Sequence, residues 1–199
     1  RPLALAGSII GNPTEAAVAA NLLCSLIPGT RETIDLAQLS VISETAPAAH
    51  MKELSEQMQR KEVALLFINT ANPVFTLPQA WEFQANMAAV PFVVSFSSAP
   101  DETSEHADLI LPTNTPLESW GDYSPRTSVI GFMQPVMGTV FNTRHLGDIL
   151  LSTGRKLFGT EKFPWNNFYA LLRETAKRVA DAGAAQNSWN KAMEKGGVW

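Results

Sequence analysis

The densest group of ionisable side chains lies between Asp101 and Asp108, where Asp101, Glu102, Thr103, Glu105, His106 and Asp108 fall within eight consecutive positions. Carboxylates beside an imidazole can hold a metal or share acid and base roles. Acidic residues at this density are also what the first turn of a short helix favours, because they complement the positive end of its dipole. The second interpretation is preferred, with His106 as an exposed residue. A second group, Glu118, Trp120, Asp122 and Tyr123, mixes acids with aromatics in a stretch lacking helical period. Its acids would pair with Arg126 or Arg144, and the stretch packs either on its own domain or at an interface. His145 follows Arg144 at the start of a helix and reads as a cap or packing residue. There is no Ser–His–Asp order, no phosphate loop of the GxxxxGK type and no HExxH. The single Cys24 rules out a CxxC zinc or iron–sulfur site within these residues.

Small and polar residues also gather where apolar runs end: Gly7-Ser8 after Leu3–Ala6, Asn69 to Asn72 after Val63–Ile68, and Ser95 to Ser98 at the end of Phe92–Phe96. In open parallel sheets, ligands bind beyond the carboxyl ends of the strands. Residues of this kind let a ligand approach the backbone. Strand ends need turn residues in any case, so both readings stand.

The elements that would position these groups alternate. Short continuous apolar runs predict buried parallel strands at 3–6, 63–68 and 92–96, with a further short strand at 109–111. Helices are expected near 14–27, 48–61 and 78–89, the first entered through Asn12 and Pro13. Residues 30–46 read as a loop. Strand–helix alternation predicts an α/β fold, a Rossmann-like parallel sheet flanked by helices. Residues 113–144, rich in Pro, Gly, Asn and Thr, read as a long ordered loop. Helices return at 145–158, 164–182 and 187–195. The expected division is an α/β domain over 1–145, including the loop, and a helical C-terminal extension over 146–199.

Composition excludes several classes. The hydrophobic fraction is 45% and the charged fraction 17%, a globular balance rather than a disordered one. Net charge is −4 without a basic stripe, so nucleic acid is not an expected partner. No apolar run reaches the roughly 18–20 residues that a membrane span needs. The chain opens on Arg1 with no leader-like pattern, and it reads as a segment of a longer polypeptide.

Several stretches, taken in order, resemble the molybdopterin oxidoreductase family, which includes formate dehydrogenases and dimethyl sulfoxide reductases. Asn72-Pro73 after a buried strand is similar to that family's NP loop. FVVSFSSAPDETSEHADLILP, from Phe92 to Pro112, is similar to its strand and "TETA…ADLILP" motif, with Asp101-Glu102-Thr103 where the family has Thr-Glu-Thr. TPLESWGD from Thr115, Met133-Gln134-Pro135-Val136, Thr143-Arg144, Trp189 and the terminal KGGVW continue the family order. The variant forms are most similar to the cofactor-free branch of the family, the molybdopterin-like subunits of menaquinone reductase complexes and of alternative complex three.

The resemblance implies a Rossmann-like domain of the kind that holds the guanosine end of a molybdopterin guanine dinucleotide, with Asn72, Ser97 and Glu102 at the ancestral dinucleotide crevice. It implies no catalytic residue, no metal ligand and no cofactor in this segment. Iron–sulfur clusters and haems would sit in other domains or subunits. The implied partners are the remaining domains of the same subunit, an iron–sulfur subunit, a multihaem cytochrome c subunit and a quinone-binding integral membrane subunit. The implied location is the periplasmic side of the cytoplasmic membrane. Within the loop, Trp120, Tyr123, Phe132, Met133 and Met137 are too many large apolar groups to expose on a monomer, and are expected to meet polypeptide outside this chain.

Overall fold

The computed structural model describes residues 3–7, 13–29, 33, 45–126, 129–181 and 188–198. Most of the loop expected over 30–46, together with Ser8, Asn12 and the terminal Trp199, lies outside the described residues.

The chain forms an α/β fold whose first part is a three-stranded parallel sheet flanked by helices. Strands β1 (Leu66–Asn69), β2 (Val93–Phe96) and β3 (Leu109–Ile110) lie in that order, all parallel. The register sets Phe67 beside Val94 and Ser95 beside Ile110. This is the pairing that the apolar runs at 63–68 and 92–96 predict. Helix α1 (Pro13–Leu26) and helix α2 (Ala48–Gln59) fall where expected. Helix α2 packs against one face of the sheet, where Met58, Leu66, Ile68, Phe83, Met87, Val90 and Val93 form the core.

Four expectations are corrected. Residues 3–7 do not form a sheet strand. The Ala4 N–H and carbonyl both meet the Cys24 thiol of α1 at 3.4 Å, so this backbone is engaged by the helix and not by an edge of the sheet. Strand β1 is not buried on both faces. It alternates, with Phe67 54% exposed, because it is the outer strand of the three and nothing described covers its second face. Only the central β2 is buried throughout.

The helix expected at 78–89 is two short pieces, a 3-10 turn (Gln79–Trp81) and α4 (Phe83–Met87), with a separate short helix α3 (Pro73–Thr76) ahead of Pro78. Pro78 cannot donate to a continuing helix and disfavours helical backbone before it. Glu82 takes a left-handed conformation at φ 49°. The Trp81 carbonyl is taken out of the helical ladder by the Ser55 hydroxyl at 2.9 Å and the Asn86 amide at 3.2 Å, and Asn86 also donates to Ser55 Oγ at 3.0 Å.

Residues 113–144 hold more regular structure than the loop expected there. A 3-10 turn (Pro116–Glu118) leads into an antiparallel hairpin of β4 (Gly121–Arg126) and β5 (Val129–Met133). Helices α5 (Leu146–Phe158), α6 (Phe168–Asp181) and α7 (Ser188–Lys195) follow. The short β6 (Gly197–Val198) then pairs antiparallel to β5 as the third strand of this second sheet. The sequence hides the hairpin for a physical reason. Pro125 has no N–H to give a ladder, and the register shifts between Tyr123 and Arg126 to pass it. Helix α6 buries Leu172 and Ala176, as its apolar periodicity predicts.

Candidate functional site

Asn72 follows the end of β1 and caps α3. Its Oδ1 accepts from the Phe75 N–H at 3.4 Å. Immediately after β2, Ser97 begins the loop that reaches the 3-10 turn Ser104–His106. The parallel pairing of β1 with β2 brings these two loops side by side beyond the carboxyl ends of the strands.

There the residues interlock. The Asn72 amide donates to Glu102 Oε2 at 2.6 Å, and the Thr103 hydroxyl donates to Asn72 Oδ1 at 2.7 Å. Thr103, fully buried, accepts in turn from the Val74 N–H at 3.1 Å. Ser97 Oγ lies 2.5 Å from the Ala99 carbonyl and 3.1 Å from Asp101 Oδ2. Asp101 Oδ1 accepts from the Ser104 N–H at 2.7 Å. The three residues expected at this crevice are thus brought to it. Asn72 and Glu102 touch directly, and Ser97 contacts the neighbouring Asp101.

The charge here is negative. Burial pushes the Asp101 carboxyl up, but hydrogen bonds from the Ser104 main chain and hydroxyl, Ser97 and Thr103 together outweigh it and hold the group below the usual range. The Asn72 amide, followed by the main-chain N–H of Glu102 itself, holds Glu102 below its usual range too, against the adjacent Asp101 charge. No Lys or Arg occurs between Lys61 and Arg126, a sequence signal that the reading of motifs alone passes over.

The rest of the acidic group is structural. Asp108 Oδ2 accepts from the Val93 N–H at 2.7 Å, and His106 Nε2 meets the Gln84 amide at 2.7 Å. Among the described residues no group of His, Cys, Asp and Glu is placed to hold a metal ion. His145 is the N-cap of α5, accepting from the Gly147 N–H at 3.0 Å and stacking on Phe168. Glu118 pairs with neither Arg126 nor Arg144 among the described residues. Its carboxylate instead accepts from the Thr115 N–H at 2.8 Å and the Val140 N–H at 2.8 Å, which lower its pKa.

The aromatic residues of the hairpin region divide into two sets. Trp120 and Phe132 are half-buried in a cluster with Tyr169 of α6 and Trp189 of α7, with Trp120 at 4.6 Å from Tyr169 and Phe132 at 5.5 Å from Trp189 between ring centroids. Tyr123, Met133 and Met137 are exposed.

An open parallel sheet with a polar crevice beyond its strand ends is the arrangement of α/β ligand-binding domains. The sequence profile of the molybdopterin oxidoreductase family matches residues 11–152, a stretch that contains the whole sheet and the crevice. The chain belongs to that family. It is also 38% identical over 96 residues to the menaquinone reductase molybdopterin-binding-like subunit of Nitratidesulfovibrio vulgaris (strain Hildenborough). That match takes in 46% of this chain and 14% of the relative, so the chain corresponds to a small part of the relative's length.

The family's cofactor places a diphosphate between its pterin and its nucleoside. The crevice can accept hydrogen bonds from sugar hydroxyls or base N–H groups through Glu102. Its described side chains fit a diphosphate poorly: Asp101 and Glu102 both have carboxyls held below the usual range, and the Asn72 amide and Thr103 hydroxyl are already spent on one another's loops.

Proposed function

We propose that the chain is a structural, cofactor-free segment of a molybdopterin-oxidoreductase-like subunit, acting within a quinone-linked respiratory electron-transfer complex at the periplasmic side of the cytoplasmic membrane. The observation that supports it best is the closed hydrogen-bond network of Asn72, Glu102 and Thr103, with carboxylates where an anionic dinucleotide would have to lie. The likeness to a menaquinone reductase subunit supports the quinone-linked setting. No helix among the described residues is long and apolar enough to cross a membrane, and the proposed complex brings the chain together with partners. Those partners are the remaining domains of the subunit, an iron–sulfur subunit, a multihaem cytochrome c subunit and a quinone-binding membrane subunit. The role of this segment is then to hold neighbouring parts in place, and electron transfer belongs to centres elsewhere.

The alternative is a dinucleotide-binding domain of a catalytic molybdenum bis-pterin enzyme. What favours it is the survival of Asn72 and Glu102 at the strand ends. Molybdenum analysis and oxidised-pterin fluorescence on the intact native complex separate the two. Amounts far below one per subunit are expected, and stoichiometric molybdenum and pterin would overturn the cofactor-free reading.

A further inference from the structure

The two sides of helix α1 differ. Cys24 meets the Ala4 backbone, and it is the one buried side chain among the described residues of the helix. Away from Cys24, Val18, Leu22 and Leu26 recur every four residues and so form one stripe, with Leu23 beside it. All four are exposed, Leu22 at 60% and Leu26 at 78%. An apolar stripe of this width is the face that a helix ordinarily turns to a core.

The parallel sheet is short of cover on one side. Its first face lies under α2 and α4, where Met58 and Met87 meet Leu66, Ile68 and Val93. The register sets Phe67, Val94 and Leu109 in one row on the other face. Val94, at the centre, is buried, whereas Phe67 and Leu109, at the two ends, are exposed. Leu65, just ahead of β1, is 49% exposed. Sheets of parallel strands are covered on both faces, so this row needs a second layer.

We infer that α1 is that layer: a tethered cover whose Val18, Leu22 and Leu26 stripe closes on the face of the sheet that carries Phe67 and Leu109. Each surface lacks a partner of the character that the other supplies. Residues 27–47 join α1 to α2 and, extended, reach on the order of 70 Å, so the tether allows the contact. A cover on the same chain also acts at a high effective concentration, which favours it over one arriving from outside. The family profile runs from residue 11 through both α1 and the sheet, so the two recur together as one unit, and this favours α1 over polypeptide beyond the matched stretch. The inference goes beyond the proposed function and does not depend on whether a cofactor is bound.

A photo-crosslinking p-benzoylphenylalanine in place of Phe67, in the full-length subunit within its native complex, should capture the peptide that contains residues 18–26. In a second arm, L22D puts a charge into the contact, and N21D adds the same charge to the exposed neighbouring position off the stripe. Hydrogen exchange of residues 65–69 should be at least about tenfold faster in L22D than in N21D, the size of effect that losing one buried leucine gives. A crosslink to any other segment of the polypeptide or to another subunit, no crosslink, or equal exchange in the two variants would overturn the inference. Each of those results leaves the proposed function standing. Stoichiometric pterin would overturn the cofactor-free reading and leave this inference standing.

Discussion

Asp108 holds Val93 at two points: the Val93 N–H donates to Asp108 Oδ2 at 2.7 Å, and the Asp108 N–H donates to the Val93 carbonyl at 2.9 Å. Val93 is 2% exposed and begins β2, so its N–H has no water to turn to. A carboxylate that looked available for chemistry instead fixes the register of β2 against β3. D108A leaves that donor unsatisfied and should cost about 1–3 kcal/mol. D108N keeps an acceptor oxygen and should cost less. Hydrogen exchange over residues 90–97 in the full-length subunit measures both, and equal protection in wild type and D108A would refute the assignment.

The carboxylates give the domain a signed pH dependence. Asp101, Glu102 and Glu118 each have a folded pKa below the ordinary value, so the folded state binds fewer protons than the unfolded one. Their stabilisation is fully present above the unfolded values of roughly 4 and is lost as pH falls through the lower folded values. Melting temperature should therefore hold from neutral pH to about 5 and decline below about 4. E102Q and E118Q should each flatten that decline. A variant with the same acid limb as wild type would show that the group is not linked to folding.

Much of this arrangement is legible from sequence, for identifiable reasons. Continuous apolar runs specify the parallel pairing of β1 with β2, and the residues at their ends, Asn72 and Ser97, arrive at one crevice because parallel strands end on the same side. The hairpin at 121–133 is not legible, since Gly121, Pro125 and Gly131 are residues that weaken a strand pattern, and pairing with the distant β6 supplies what local propensity lacks. The break within the helix expected at 78–89 is hidden because its determinant is non-local: a serine on α2 captures the Trp81 carbonyl.

That capture makes a testable knot. Ser55 is 1% exposed and Asn86 8% exposed, and both bond the same Trp81 oxygen. N86L removes one donor to that carbonyl and should cost about 1–3 kcal/mol. S55A with N86L leaves the carbonyl with neither donor, so the double variant should lose more than the sum of the singles. Strict additivity in denaturant unfolding would mean that the three groups do not act together.

The two sets of hairpin aromatics should separate folding from assembly. Trp120 is packed on Tyr169 and lies 6.0 Å from Trp189, so W120A should lower stability by about 2 kcal/mol as well as weaken assembly. Tyr123 is 66% exposed, and Y123A should leave stability within about 0.5 kcal/mol while reducing co-purification with partner chains. Unchanged co-purification of Y123A would remove Tyr123 from the interface.

Gly147 and Gly154 both lie on α5, yet alanine should act differently at the two. A Cβ at Gly147 would lie 2.7 Å from Phe168 Cγ and 2.9 Å from Phe168 Cβ. Phe168 has little room to retreat, because its N–H is bound to Asp148 at 2.6 Å and its ring is stacked on His145 at 4.6 Å. G147A should therefore push α6 away from α5 and cost about 1–3 kcal/mol, the usual range for overpacking. A Cβ at Gly154 would come only to 3.1 Å from the outer ring atoms of Phe163, in the loop between α5 and α6. The contact is tight, but a ring tip can turn aside, and alanine gains roughly 1 kcal/mol over glycine inside a helix. G154A should consequently stay near wild type in melting temperature while G147A falls by several degrees. If G154A is the more damaging of the two, the close approach of Phe168 to Gly147 is not what holds α5 and α6 together.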